Sequence, residues 1–307
     1  MNTRTSPFRI EYVLMLVTTF FWALGHPVGR IVLRVVHPFQ LGALNLSFGF
    51  AGVFLFLVLS GRVKTLTRLS KKDIAASLFL GVFGFFIYQI CTFSALARIP
   101  ASVNAILVST NPVFIALFSA IILRERITLM RFAGILCALT GAVFVTFNRG
   151  FRLEGEINLL GCGFSLCAAF SFALYSVLGK RILSRNEPLI VSTYALLSGA
   201  VLLMLLTGFS VRYSELSSAP PSTWMLIIML SLTMIGIAYP LWFTCLKRMA
   251  ASRVSIYIFM TPVFAVILSL LILHERFSWL FWLGGSLVMA GIGITTLTPG
   301  KRGASAS

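Results

Sequence analysis

Charge is what this 307-residue sequence has least of: 11% of its residues are charged, and 8 acidic residues stand against 25 basic ones. A soluble globule of this size needs far more polar surface, so the chain belongs in lipid. The acids are Glu11, Asp73, Glu125, Glu154, Glu156, Glu187, Glu215 and Glu275, and all fall at the ends of apolar runs or between them. No paired carboxylates, no His and Cys cluster and no Gly-rich phosphate loop followed by Lys occur, so neither an ATP-driven pump nor a membrane hydrolase has visible machinery. No catalytic residue, cofactor or metal is expected. The five cysteines, at positions 91, 137, 162, 167 and 245, lie inside apolar runs without zinc or disulfide spacing and read as small apolar fillers.

What the sequence has in abundance is hydrophobic residues, 58% of the total. Runs near the roughly 20 residues needed to cross a hydrocarbon core occupy about 10–28, 39–59, 74–99, 103–123, 129–147, 157–178, 189–209, 224–246, 254–273 and 279–297. Ten transmembrane helices are predicted, making an all-α integral membrane protein. The first run lacks a small-residue cleavage pattern, so it reads as a span and not a signal peptide. With the N-terminus inside, 18 of the 25 basic residues fall in inner connections, and seven (Arg30, Arg34, Arg98, Arg149, Arg152, Arg212 and Arg276) fall outside. The excess of Lys and Arg on cytoplasmic loops places both termini in the cytoplasm. The net charge of +17 is thus topological, and nucleic acid is not an expected partner.

The stretch NPVFIALFSAIILRERIT at 111–128 returns as TPVFAVILSLLILHERFS at 261–278, a shift of 150. At the same shift Trp22, Ala23, Leu24, Gly29 and Arg30 meet Phe172, Ala173, Leu174, Gly179 and Lys180. ALARIPAS at 95–102 likewise meets CLKRMAAS at 245–252, and Gly134 and Gly141 meet Gly284 and Gly291. Each repeat carries five spans, an odd number, so the second enters the membrane from the opposite side and the halves are inverted. The predicted units are 1–150 and 151–298, each a five-helix repeat, with a short basic tail at 299–307.

Ten spans, a five-plus-five inverted duplication and this paired Pro and Glu element resemble the EamA-type transporters of the drug/metabolite transporter superfamily. The resemblance covers about residues 10 to 297. It implies a bacterial inner-membrane carrier, often an exporter of amino acids or related metabolites, working by alternating access through a central cavity. A vitamin-type or lipid-linked substrate stays open beside that reading, and a non-transporting scaffold stands further off.

Helical spacing of three and four groups the residues that could line a path. Span one offers Trp22 and His26, span three Tyr88, Gln89 and Thr92, and span four Asn104 and Asn111. Spans six, eight and nine offer Phe172 and Tyr175, Tyr239 and Trp242, and Tyr257 and Thr261. Each has a packing alternative: aromatics fill helix interfaces, and amides or hydroxyls tie helices together. His26, titratable in the physiological range, invites a proton-coupling hypothesis, against which stands a hydrogen-bonded residue beside Pro27. Pro112 and Pro262 are expected to break spans four and nine, with Pro27 and Pro240 acting likewise. Glu125 and Glu275 read as structural turn anchors, each just before Thr128 or Ser278 at the start of the next helix and flanked by Arg124, Arg126 and Arg276. An aromatic, amide-rich path without fixed counter-charge suits a small neutral or zwitterionic metabolite.

Overall fold

A computed structural model describes residues 10–25, 27–96, 98–99, 104, 107–146, 158–210, 219–273 and 278–297, and among them there is no strand. His26, Glu275 and Arg276 lie outside the described residues. The helices are α1 (Ile10–Leu24), α2 (Pro27–Val32), α3 (Pro38–Leu59), α4 (Lys71–Gly81), α5 (Tyr88–Leu96), α6 (Asn111–Ile122) and α7 (Leu129–Thr146). Then follow α8 (Leu159–Leu183), α9 (Pro188–Ser210), α10 (Pro221–Leu230), α11 (Ala238–Arg248), α12 (Ala251–Ser255), α13 (Met260–Leu273) and α14 (Trp279–Leu297).

Several starts are written in local chemistry. Before α3 the His37 side chain accepts from the Phe39 amide while Gln40 accepts from the His37 amide, with Pro38 already at a helical φ. Ser70 caps α4 by accepting from the Asp73 amide, and Asn158 caps α8 by accepting from Gly161. Helix α6 ends where the amides of Leu123 and Glu125 both donate to the Ser119 carbonyl, with Arg124 between them in the left-handed region at φ 53°.

Among the described residues seven segments are long and apolar enough to cross a membrane: Ile10–Gly29, Pro38–Leu59, Lys71–Ala95, Leu159–Leu183, Pro188–Gly208, Pro221–Arg248 and Ala251–Leu268. Three apolar helices there are shorter: Asn111–Ile122, Leu129–Val145 and Trp279–Thr295. Leu59, Ile121, Leu271, Trp279 and Trp282 are largely exposed on the outer surface, an arrangement that water penalises and hydrocarbon does not. The protein is a multi-pass, all-helical membrane protein.

Several expected spans are not single straight helices. Pro27 opens α2 and Pro112 follows Asn111 in α6, first-turn positions where no amide bond is owed, whereas Pro240 and Pro262 are the third residues of α11 and α13, inside runs that change their winding just before them. The segments ahead of α11 and α13 differ in winding. A wider π turn at Ser231–Ile237 precedes α11, and a tighter 3-10 turn at Ile256–Phe259 precedes α13. A second π turn, Val82–Ile87, joins α4 to α5, so the two π turns lie at matching places in the 150-residue repeat.

Contacts recur in pairs related by the 150-residue shift. Where α7 crosses α14, a Cβ on Gly291 would stand 2.5 Å from the Gly134 carbonyl oxygen, and one on Gly141 would stand 2.5 Å from that of Gly284. At the same crossing the Cys137 thiol donates to the carbonyl of Leu287, its own repeat mate, at 3.4 Å. Gly84 lies against the Tyr175 ring, and Gly25, the mate of Tyr175, lies against Met234, the mate of Gly84. Only glycine admits such approaches.

Candidate functional site: an aromatic cluster between the halves

Helices α1, α5, α8 and α11 bring six of the expected residues into one aromatic cluster. Trp22 lies 5.9 Å from Phe172, 5.4 Å from Tyr239 and 5.4 Å from Trp242, centroid to centroid. Phe172 reaches Tyr88 at 5.8 Å, Tyr175 at 5.8 Å and Trp242 at 5.7 Å. The rings meet tilted or edge to face, the arrangements that their quadrupoles favour. Trp22 and Tyr88 come from the first half of the chain, and the other four come from the second.

The polar atoms of this cluster are unevenly satisfied. The Trp22 indole donates to the Met234 carbonyl at 3.2 Å, within the π turn of Ser231–Ile237, and Ser171 donates to Phe83 in the other π turn at 2.7 Å. The Trp242 indole N–H and the Tyr175 hydroxyl, in side chains that are 0% exposed, find no partner among the described residues. A buried donor without an acceptor costs about 1–3 kcal/mol. Two such donors in one cluster mark a place where an acceptor group would be welcome.

The other expected lining residues do not all converge here. Asn104 is buried, and its side-chain oxygen accepts from Ser165 of α8 at 2.7 Å, which makes it a tie between helices. Tyr257 stacks on Tyr12 at 6.1 Å, ten residues from Trp22 and so about 15 Å away along α1. The Gln89 amide lies against Gly42 of α3, and Thr92 follows Tyr88 one turn further on. Asn111 and Thr261, themselves repeat mates, have a side-chain oxygen without a partner among the described residues.

Sequence reasoning missed Phe85 and Phe243. Phe85 packs on Tyr239 at 4.7 Å and on Tyr175 at 5.4 Å, while Phe243 stacks on Tyr175 at 4.8 Å. Phe85 stands three residues before Tyr88, so the same-face rule that grouped Tyr88, Gln89 and Thr92 could have included it.

Glu125 lies in the connection between α6 and α7, and its partners differ from the flanking arginines that were expected. Its carboxylate accepts from the Ala251 amide at 2.9 Å, the Ser252 amide at 3.4 Å and the Ser252 hydroxyl at 3.2 Å, and it pairs with Lys180 at 3.1 Å. The start of α7 is capped by Thr128, which accepts from the Arg131 amide at 3.3 Å. Burial pushes the Glu125 carboxyl up, but the Lys180 ammonium and the Ala251 and Ser252 amides outweigh it and hold the group below the usual glutamate range.

Comparison with known proteins agrees with this architecture. The EamA-like transporter family matches residues 9–147 and again 159–297, and both ends of the two matches differ by 150. The chain therefore belongs to the EamA-like transporter family. It is similar to an uncharacterized transporter of Archaeoglobus fulgidus, at 24% identity over 92% of this chain and 97% of the relative. It is also similar to the uncharacterized transporters YetK and YdfC of Bacillus subtilis, at 27% and 28% identity over 88% and 98% of this chain and 82% and 94% of theirs. A solved crystal structure shares the fold with a TM-score of 0.81, at 23% identity over 94% of this chain and 96% of its own.

Proposed function

We propose that the protein is a secondary carrier that exports a small neutral or zwitterionic metabolite, an amino acid or a related compound, by alternating access between two inverted five-helix repeats. In this reading the seven long apolar segments and the three shorter ones are ten crossings, residues 1–150 and 151–298 are the repeats, and both termini face the cytoplasm of a plasma membrane. The reciprocal glycine contacts and the two π turns 150 residues apart support the inversion. The observation that carries the function is the aromatic cluster assembled from both halves, with its two buried donors lacking a partner. A substrate carboxylate or carbonyl would accept from Trp242 and Tyr175, while the ring faces hold an apolar part or an ammonium.

Reconstitution tests it. Proteoliposomes holding the full-length protein should exchange labelled amino acids or close relatives, and a set of nucleotides, sugars and amino acids that all fail to move in folded protein would contradict the proposal. The same vesicles test proton coupling through His26. A pH gradient should drive uptake in the wild type and not in His26→Ala; equal uptake in both removes His26 from the coupling.

A further inference from the structure

The described residues contain four of the carboxylates, and each pairs across the two halves. Glu11 meets Arg248 at 3.3 Å, Asp73 meets Arg185 at 3.5 Å, Glu125 meets Lys180 at 3.1 Å, and Glu187 pairs with Arg62. Further bonds join these pairs into a single belt. Lys247, next to Arg248, donates to the Asn186 carbonyl between Arg185 and Glu187 at 2.8 Å, and Lys180 donates to the Met249 carbonyl. All of them therefore lie at one end of the bundle.

The members differ in shielding. Arg185, Arg248, Arg62 and Glu187 have side chains that are 43% exposed or more, so three of the pairs are open to screening on at least one side. Glu125 and Lys180 are 15% and 21% exposed, and Glu125 also accepts three hydrogen bonds from Ala251 and Ser252. Arg131 and Arg253 add further positive charge nearby.

The position of Lys180 gives the pair a meaning. Phe172, Ser176 and Lys180 follow at intervals of four on α8, so Lys180 lies on the same face as Phe172 and about 12 Å further along. Trp242 and Cys245 lie on α11, and the Cys245 carbonyl accepts from the Met249 amide at 2.9 Å. The connection that Glu125 and Lys180 grip is thus the one leaving the aromatic cluster toward this face.

We propose that Glu125, bound to Lys180, Ala251 and Ser252, is the latch that holds this end of the carrier closed, and that its release opens the aromatic cluster to this side. The proposal rests on the alternating-access reading and names its gate. Opening must separate the connection after α6 from the start of α12, so it breaks the Glu125 contacts while the exposed pairs of the belt yield at smaller cost.

Native cysteines supply the test. Cys245 is buried beside the belt, its thiol 3.6 Å from the Glu11 carbonyl, whereas Cys91 is buried in α5 and Cys137, Cys162 and Cys167 lie within the apolar helices α7 and α8, away from the belt. Full-length protein in lipid nanodiscs is treated with a water-soluble maleimide, and alkylation is followed at each cysteine by peptide mass spectrometry. Glu125→Gln should raise the rate at Cys245 by about tenfold or more, the population shift expected when a largely buried pair loses a partner. The rates at the other four cysteines should stay unchanged. An unchanged rate at Cys245 overturns the proposal. If all sites rise together in Glu125→Gln because it does not fold, Lys180→Met decides by the same criterion, with Lys180→Arg keeping Cys245 protected. Because the readout needs no flux, a selective rise without transport in proteoliposomes would sink the carrier reading and leave the latch standing.

Discussion

At the scale of single residues, two groups behave as their surroundings dictate and not as their type suggests. Trp242 is wholly buried, yet its N–H has no partner among the described residues, so replacing it with Phe removes an unmet donor whose burial cost offsets the packing that the smaller ring loses. Trp242→Phe should leave the melting temperature equal or slightly higher while weakening substrate affinity about tenfold, the worth of one hydrogen bond. A lower melting temperature with unchanged affinity would mark Trp242 as packing only. Glu125 is the opposite case, a carboxylate with every contact made. The folded protein holds its proton less tightly than the unfolded chain, so its stabilising contribution is complete above the ordinary glutamate value of 4.5 and is lost as the pH falls through the lower folded value. Thermal unfolding of wild type and Glu125→Gln should differ by roughly 1–3 kcal/mol at neutral pH and converge in acid. Curves that stay parallel would show that another group sets the difference. That Glu125 anchors a turn was legible from its place between two spans; that it reaches across to Ala251, Ser252 and Lys180 was not, because 126 residues separate it from α12.

At the scale of elements, the crossing of α7 and α14 is a contact of backbone on backbone. The glycines there face backbone carbonyls, which cannot rotate away as side chains do. Gly141→Ala and Gly291→Ala should each cost about 1–3 kcal/mol, the usual penalty of overpacking, whereas Ala at Gly163 or Gly285, where nothing lies within 4 Å, should be neutral or stabilising. Chemical unfolding of the four variants in detergent checks this, and equal effects at all four sites would refute the assignment. Element positions were readable from hydropathy. The π turns and the short 3-10 turn were not readable, since apolar residues of similar type continue straight through Val82–Ile87, Ser231–Ile237 and Ile256–Phe259. Winding there is chosen by packing against neighbouring helices, with Gly84 lying under Tyr175 as an example.

At the scale of the whole molecule, the proposed inversion makes a topological prediction. Ten crossings return the chain to its starting side, so a protease-cleavable tag after residue 307 should resist protease added outside intact cells and be cut in inside-out vesicles. Cleavage in intact cells would mean an odd number of crossings or an outward N-terminus. The belt of ion pairs would then belong to the outer face, and the latch would gate the opposite side.

The sequence by itself determined the apolar runs, the 150-residue period, the basic residues clustered between runs, and the pool of polar and aromatic residues a path could use. These are local or periodic properties, and a chain carries them wherever it packs. Only the tertiary structure decided which members of that pool meet. It joined Trp22, Tyr88, Phe172, Tyr175, Tyr239 and Trp242 and added Phe85 and Phe243 beside Tyr175 and Tyr239, and it tied Asn104 to Ser165. It also gave Glu125, expected beside its flanking arginines, partners in the other half of the chain. The physical reason is that helical periodicity fixes which residues share a face, while the partner that a face meets depends on how distant helices pack against it.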